Sequence, residues 1–334
     1  MNSRQRVLSA LEKKPIDRPP VLCVSSTATR AQMEENGLTF PEVHQKAEPM
    51  VRLALGAYKI LGFDAVRLPF CQTIEAEALG CQVNYRDFMP RTDGSLYQLN
   101  EIPRFPDDFL SRGRIPELLR AVTLLKREVG EEALLLGGVV GPLTIARSFL
   151  DSVPLLKASI KTPDKLRPFL SVGAQASSQM ARALFESGVD ALVIEDMVAS
   201  PDLLHPKTYK TLVLDYHQRL IGTLPKPVIL HICGDVSLIV EEMAQTKAKA
   251  LSIEPKAPTS LVRSIVGEDM ILIGGVDAPA LFTSTPSDIR ALSRKALEEG
   301  IDMLAPGCAI PPNTPNENLH VMVQVAVDFS KPRR

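Results

Sequence analysis

The sequence predicts an α/β chain folded as a (β/α)8 TIM barrel, and three observations carry that expectation. From Leu61 onwards, short β-rich runs alternate with stretches of helical periodicity, which implies parallel strands joined by crossovers. Eight such runs can be counted. The stretches between them carry helix start and stop signals that propensity alone would not supply. An open doubly wound sheet with an appended piece would give a similar string, but the count of eight favours the barrel. A chain of 334 residues fits one such barrel, so a single domain over residues 1–334 is expected, with residues 1–18 as an N-terminal extension.

In chain order the strands are read at PPVLCVSS (Pro19–Ser26), DAVRLPF (Asp64–Phe70), ALLLGGVV (Ala133–Val140) and DALVIED (Asp190–Asp196). They continue at PVILHIC (Pro227–Cys233), KALSIEP (Lys249–Pro255), MILIGGV (Met270–Val276) and DMLAPGC (Asp302–Cys308). Thr162-Pro163 opens a long helix that stops at Gly188, and His205-Pro206 reads as another helix entrance. Thr285-Pro286-Ser287-Asp288 has an N-cap threonine, a proline in the first turn and an acid reaching back, and its helix ends where Gly300 can turn left-handed. Thr314-Pro315-Asn316-Glu317 repeats the arrangement, with Thr314 as the expected N-cap. Between Cys71 and Glu117 the alternation fails. Turn residues and prolines stand where a crossover helix belongs, so this segment is expected as a long loop excursion over the barrel mouth, shaping a pocket or merely covering surface.

Composition narrows the function. Hydrophobic residues make up 45% and charged residues 23% with no low-complexity tract, the profile of a globular protein rather than a disordered one. A net charge of −1 gives no basic excess for phosphate recognition, so no nucleic-acid partner is expected. The opening MNSRQRVLSALEKKPIDRPP carries charges every few residues and no apolar centre, so neither a secretory signal nor a membrane span is expected, and a cytoplasmic protein is. The five cysteines are scattered rather than spaced as a disulfide framework. Cys23, Cys71 and Cys81 read as core or near-surface thiols without chemistry, and His44, His205, His217 and His320 as structural.

The chemistry concentrates at strand ends. In VILHIC, His231 and Cys233 stand two apart and so point to one face at the end of the fifth strand. Cys308 closes the eighth strand and Glu254 the sixth, and in a barrel these ends form the active-site face. A histidine, two thiolates and a carboxylate suit tetrahedral Zn²⁺, with His231, Cys233, Cys308 and Glu254 as the metal ligands. A zinc site so rich in negative charge is a weak Lewis acid toward carbonyls, but it favours deprotonation of an incoming thiol. Glu254 is then the catalytic ligand that leaves when substrate sulfur arrives. The spacing alone is weaker than a paired C-x-x-C signature, and burial in a core would also explain a lone H-x-C.

LHICGDV, LSIEPKAP, LIGGVDAP and GIDMLAPGCAIPPNTPNENL resemble the uroporphyrinogen decarboxylase superfamily, and within it the corrinoid-dependent methyltransferases, along essentially the whole chain. The resemblance implies a (β/α)8 barrel that binds zinc through His231, Cys233 and Cys308, with an acid at Glu254 as resting ligand. It also implies a methylated corrinoid as donor, carried on a partner protein that docks at the barrel mouth, and a thiol acceptor, typically coenzyme M, with another thiol or tetrahydrofolate as alternatives. Arg67 is the candidate for the acceptor's sulfonate, although a structural ion pair with an acid such as Asp64 or Glu195 suits it somewhat better. Asp196 and Asp277 close two further strands and are candidates for lining the substrate pocket or for orienting His231. The alternative is a metal-free decarboxylase like others of the superfamily. Against it, the arginine-containing R-Q-A-G-R-Y motif of those enzymes is replaced by CVSSTATRAQMEENG, where only Arg30 is available, and Cys308 would have no use.

Overall fold

The computed structural model describes residues 1–86, 88–225 and 227–330. Asp87, inside the expected excursion, and residues 331–334, at the end of the expected domain, lie outside the described residues. Nine strands are described, namely β1 (Ala65–Leu68), β2 (Gln82–Asn84), β3 (Arg91–Asp93), β4 (Leu134–Val140), β5 (Ala191–Glu195), β6 (Val228–His231), β7 (Ala250–Ile253), β8 (Ile271–Val276) and β9 (Met303–Pro306). Seven form one sheet in the order β1-β4-β5-β6-β7-β8-β9, parallel throughout, while β2 and β3 make a separate antiparallel hairpin.

Seven of the eight expected runs are therefore strands of this sheet. The first, Pro19–Ser26, contributes only a parallel bridge between Val21 and Leu304. Its two prolines have no N–H to donate, and the chain bends at Val24–Ser25, so no ladder develops. Its backbone nevertheless spans the two outer strands. Leu22 N–H donates to Leu304 and Leu304 N–H to Pro20, while Asp64 N–H, just before β1, donates to Val21.

Side-chain parity divides the apolar residues into two cores. Val66, Leu135, Leu192, Leu230, Leu251 and Leu272 point outward, into the large core under the helices. Their neighbours Ala65, Leu134, Leu136, Ala191, Val193, Ile229, Ala250, Ile271, Ile273, Met303 and Ala305 form a second cluster, joined by Leu22 and Val24. The sheet is thus curled around its own interior. Continuing along the inward face by two residues reaches Arg67, Glu195, His231 and Ser252, so apolar packing gives way to polar groups at the C-terminal ends of the strands.

The opposite end is closed by the helix Ser3–Leu11, which the sequence had suggested as a mere extension. Asn2 and Gln5 form a capping box at its start, and Val7, Ala10 and Leu11 pack into the inner cluster. Its charges are tied to the residues that precede the strands. Arg4 pairs with Asp190, Arg6 with Asp64, and the following Lys13 with Asp302. Asp64, fully buried, also accepts from Ser3 Oγ (2.7 Å), from both terminal nitrogens of Arg18 (2.8 and 2.9 Å) and from Val21 N–H (2.8 Å).

Among the helices, Arg167–Ser187 is opened by a 3-10 turn at Pro163–Leu166 and ends at Gly188 with φ 115°. Pro286–Glu298 has the expected Thr285–Asp288 capping box, and His205 Nδ1 accepts from Lys207 N–H at its helix entrance. Thr314 is not an N-cap. The last helix, Asn316–Phe329, begins after Pro315 without a side-chain cap, and Thr314 Oγ1 is buried without a partner. The excursion also holds more structure than expected, a short helix at Ile74–Ala78 and the β2–β3 hairpin, and it runs into a crossover helix, Ile115–Val129. Pro116 falls in that helix's first turn, where no intrahelical N–H is needed, so it does not break it. Among the described residues no helix is long and apolar enough to cross a membrane.

Candidate metal centre

His231, Cys233 and Cys308 converge as the parity argument requires, their donor atoms all lying within 4.8 Å of one another. Cys233 Sγ is 3.3 Å from His231 Nε2 and 3.6 Å from Cys308 Sγ. A tetrahedral ion about 2.3 Å from each sulfur and about 2.0 Å from nitrogen sets the sulfurs roughly 3.8 Å apart and nitrogen roughly 3.5 Å from sulfur. The three side chains therefore stand close to the edges of such a tetrahedron and could hold a zinc-sized cation.

The ring of His231 is fully buried, and its Nδ1 lies 3.0 Å from Ser252 Oγ, which is its register partner on β7. With Nδ1–H donating to that hydroxyl, Nε2 keeps its lone pair for the cluster. The partner expected for His231 was Asp196 or Asp277, so Ser252 corrects that expectation. It stands two residues before Glu254 in LSIEP, and the same two-residue parity that joins His231 to Cys233 would have found it.

The two half-buried sulfurs lie within hydrogen-bond reach of each other. A hydrogen bond from Cys233 holds the Cys308 thiol well below the usual range, against its burial and with help from His231. Cys233 is pushed well above it by that same bond and by burial. A sulfur held below its usual range beside the histidine is favoured to lose its proton to an arriving cation. Glu254 stands beside the sulfurs but outside the close group of three. Burial raises its carboxyl above the usual range and the charge on Cys308 adds to this, against a hydrogen bond from Gly234 N–H. The approach of the β9 loop to Glu254 requires glycine at position 307, where a Cβ would meet Pro255 Cδ at 2.8 Å and Glu254 Cα at 3.2 Å.

Cys308 opens onto a cavity of about 600 Å³, a volume suited to a small organic ligand. Residues 89–92 of the excursion line one side of it, Thr144, Arg147 and Ser148 another, and Arg67, Gln72 and Glu195 its polar floor. The excursion therefore does shape the pocket.

Arg67 reaches this floor but is not a free cation. Its terminal nitrogens donate to Glu195 Oε1 and to the Pro69 carbonyl, leaving Nε buried without a partner. Glu195 Oε2 accepts from Ser25 Oγ and Gln72 Nε2, both at 2.7 Å. Of the ion pairs the sequence allowed, the one with Glu195 forms. Gly138 makes room for it, since a Cβ there would lie 2.1 Å from Arg67 Nη2.

Asp196 and Asp277 do not line the cavity. Asp196 is fully buried and caps the helix Pro142–Phe149 through Leu143 N–H (3.1 Å) and Thr144 N–H (2.8 Å). It also accepts from Thr144 Oγ1 at 2.7 Å and meets His217 Nε2 at 2.9 Å, which leaves it no capacity for a ligand. Asp277 caps the helix Ala278–Thr283 through Ala280 N–H. Both stand where strands end and helices begin, so a cap had the stronger claim on each carboxylate.

Residues 2–329 match the family described as uroporphyrinogen decarboxylase (URO-D). The chain is 38% identical over 331 residues to the methylcobamide:CoM methyltransferase MtaA of Methanosarcina barkeri, covering 98% of each. It is 31% identical over 334 residues to the methylcobamide:CoM methyltransferase MtbA of Methanosarcina mazei, again covering 98% of each. Among solved structures, a methyltransferase from Methanosarcina mazei superposes with a TM-score of 0.94 at 35% identity, over 99% of this chain and 100% of that one.

Proposed function

This chain belongs to the uroporphyrinogen decarboxylase family, and within it we propose a zinc-dependent methyltransferase that moves a methyl group from a methylated corrinoid, carried on a partner protein, to a thiol, coenzyme M first among candidates. The observation that carries the reading is the His231–Cys233–Cys308 cluster opening through Cys308 onto the cavity. Relatives named for methylcobamide and CoM, at up to 38% identity over the whole chain, supply the substrate classes. The decarboxylase alternative finds no support at Arg30, which stacks over the Phe88 ring at 4.9 Å rather than lining the cavity.

In this reading residues 19–26 are the eighth stave, closing the sheet into a (β/α)8 barrel that is the chain's single domain. The protein is cytoplasmic. His231, Cys233 and Cys308 hold the zinc, with Glu254 beside them as the ligand that yields its place to the acceptor. Zinc held there would lower the pKa of the acceptor thiol, favouring the thiolate near neutral pH, and would fix its position. Ser252 keeps the His231 ring oriented. The acceptor sulfur then attacks the methyl carbon in line, forming the C–S bond while the Co–C bond breaks and its electron pair stays on cobalt. The partner docks at the mouth, where the segments that follow β5, β6 and β8 leave Leu203, Leu238 and Phe282 exposed. Arg67, neutralised by Glu195, acts on an anionic acceptor through the shape and hydrogen bonds of the floor rather than as a clamp.

Metal analysis together with zinc K-edge absorption, with and without coenzyme M, tests the proposal. One zinc per chain whose shell gains a sulfur and loses an oxygen on addition is expected, with loss of free thiol when methylcobalamin is supplied. Absence of zinc would overturn it. Glu254→Gln is expected to keep its zinc and its thermal stability while losing the thiol-dependent exchange, and loss of the metal in that variant would remove Glu254 from the exchangeable role. Ser252→Ala is expected to weaken zinc about 10- to 100-fold in a chelator competition, the usual cost of losing a group that orients a ligand. An unchanged affinity would show that the ring is held by packing alone.

A further inference from the structure

Cys71, read from the sequence as a thiol without chemistry, lies in the wall of the same cavity on the loop that follows β1. Its Sγ is 3.4 Å from Arg114 Nη1 and 3.4 Å from Thr73 Oγ1. Arg114 is itself held from three sides, donating to Glu77 Oε2 (2.6 Å), to the His44 carbonyl (3.1 Å) and to Thr73 Oγ1 (2.7 Å). The Tyr85 ring lies under its guanidinium.

A second, independent observation is the ring of His44. It is 2% exposed, neither of its nitrogens has a partner other than the Cys71 thiol, and Phe40 and Phe70 hold it edge-on against that thiol. A polar ring so buried is costly unless it faces a charge or a ligand. The remaining charged groups nearby are Arg67 and the buried Glu75. Burial alone would push the Cys71 thiol up, but Arg114, His44 and the Thr73 hydroxyl outweigh it and hold the group at about 5. Burial acts almost unopposed on the other two core thiols, pushing Cys23 up to about 12 and Cys81 up to about 11.

We propose that Cys71 is a second nucleophilic thiol of this cavity, a site of covalent S-alkylation by small alkyl donors, assembled by Arg114, Thr73 and His44 and independent of the His231–Cys233–Cys308 cluster. A sulfur lone pair forms the new C–S bond, and the bond from carbon to the leaving group breaks with its electron pair on the leaving group. No proton has to move, because the sulfur is already ionised. The nucleophile is replaced by a neutral thioether in the cavity wall.

Iodoacetamide, whose leaving group is iodide, is a probe small enough for the cavity. The full chain is treated with limiting reagent at pH 6 and at pH 8.5, and tandem mass spectrometry assigns the label residue by residue, so that reaction at Cys233 or Cys308 does not obscure the result. At pH 6 Cys71 is expected to react at least about tenfold faster than Cys23 or Cys81, since an ordinary thiol is then almost wholly protonated. Its rate is expected to change less than about threefold up to pH 8.5, where an ordinary thiol gains roughly 100-fold. Arg114→Met is expected to abolish the advantage at pH 6. Should that variant fail to fold, His44→Phe, which keeps the ring packing, is expected to reduce it. Cys71 labelled no faster than Cys81, a rate climbing with pH like an ordinary thiol, or a rate unchanged in the folded variants would overturn the proposal.

Discussion

Cys308→Ser is expected to leave the chain folded, empty it of zinc and cost at least about 100-fold in methyl transfer, the upper end of what losing a mere orienting partner costs a metal site. The argument starts from position. Cys308 lies beyond β9 and is half-buried at the cavity wall, so no core packing depends on its sulfur. The sulfur is nevertheless held below its usual range by its hydrogen bond with Cys233, and a serine hydroxyl does not ionise to replace it. With it gone, two donors remain where three stood. Metal content by elemental analysis and the thermal midpoint, measured on one preparation, separate the possible outcomes. Zinc lost with the midpoint nearly unchanged is the expected result. A chain that unfolds would mean the metal is a structural staple, and a chain that keeps stoichiometric zinc would remove Cys308 from the ligand set.

That cluster was legible in the sequence because its geometry is local. Two residues on one strand share a face, strand ends share a mouth, and nothing beyond parity was needed to bring His231, Cys233 and Cys308 together. Ser252 was available by the same rule and was missed only because a serine carries no signature of its own. Arg67 is not the free cation, and Asp196 not the cavity residue, that the sequence suggested, for a different reason. Each lies at a strand end, as a functional residue should, but the carboxylate of Glu195 and the helix N–H groups at Leu143 and Thr144 reach them first. Those partners come from other strands, and a single sequence does not show which of several charges will meet. Cys71 shows the same limit in the opposite direction. Its cage draws Thr73 from its own loop but His44 and Arg114 from segments 27 and 43 residues away, so no spacing announces it. In the fold, seven of the eight expected runs are strands because alternation is local, whereas the run at Pro19–Ser26, which makes only a bridge, depended on what two consecutive prolines do to a ladder.

Asp64→Ala is expected to remove about 3 to 5 kcal/mol of stability, the cost of breaking a buried ion pair and leaving its partners uncompensated. Asp64 is fully buried and joins parts of the chain that no ladder connects. It receives Arg6 from the first helix, Arg18 from the segment entering the interior, and the N–H of Val21, whose neighbour Leu22 donates to β9. Truncation removes the buried carboxylate facing the guanidinium of Arg6, which is only 8% exposed and keeps the partly exposed Asp17 as its remaining charged partner beside the Met1 carbonyl and Ser3 Oγ. It also leaves Val21 N–H buried without an acceptor. The bond from Asp64 N–H to Val21 survives, but only one of the two contacts that tie residues 20–22 to β1 remains. Lys13→Ala provides the comparison, because its pair with Asp302 bridges the same helix region and β9 in solvent and should cost less than about 1 kcal/mol. Urea unfolding of both variants measures the difference. A midpoint for Asp64→Ala that falls no further than that of Lys13→Ala would show that the first helix and the Pro19–Ser26 segment are held by their apolar contacts alone. A large fall with a reduced urea dependence would instead mean that this end of the sheet opens as a unit before the rest.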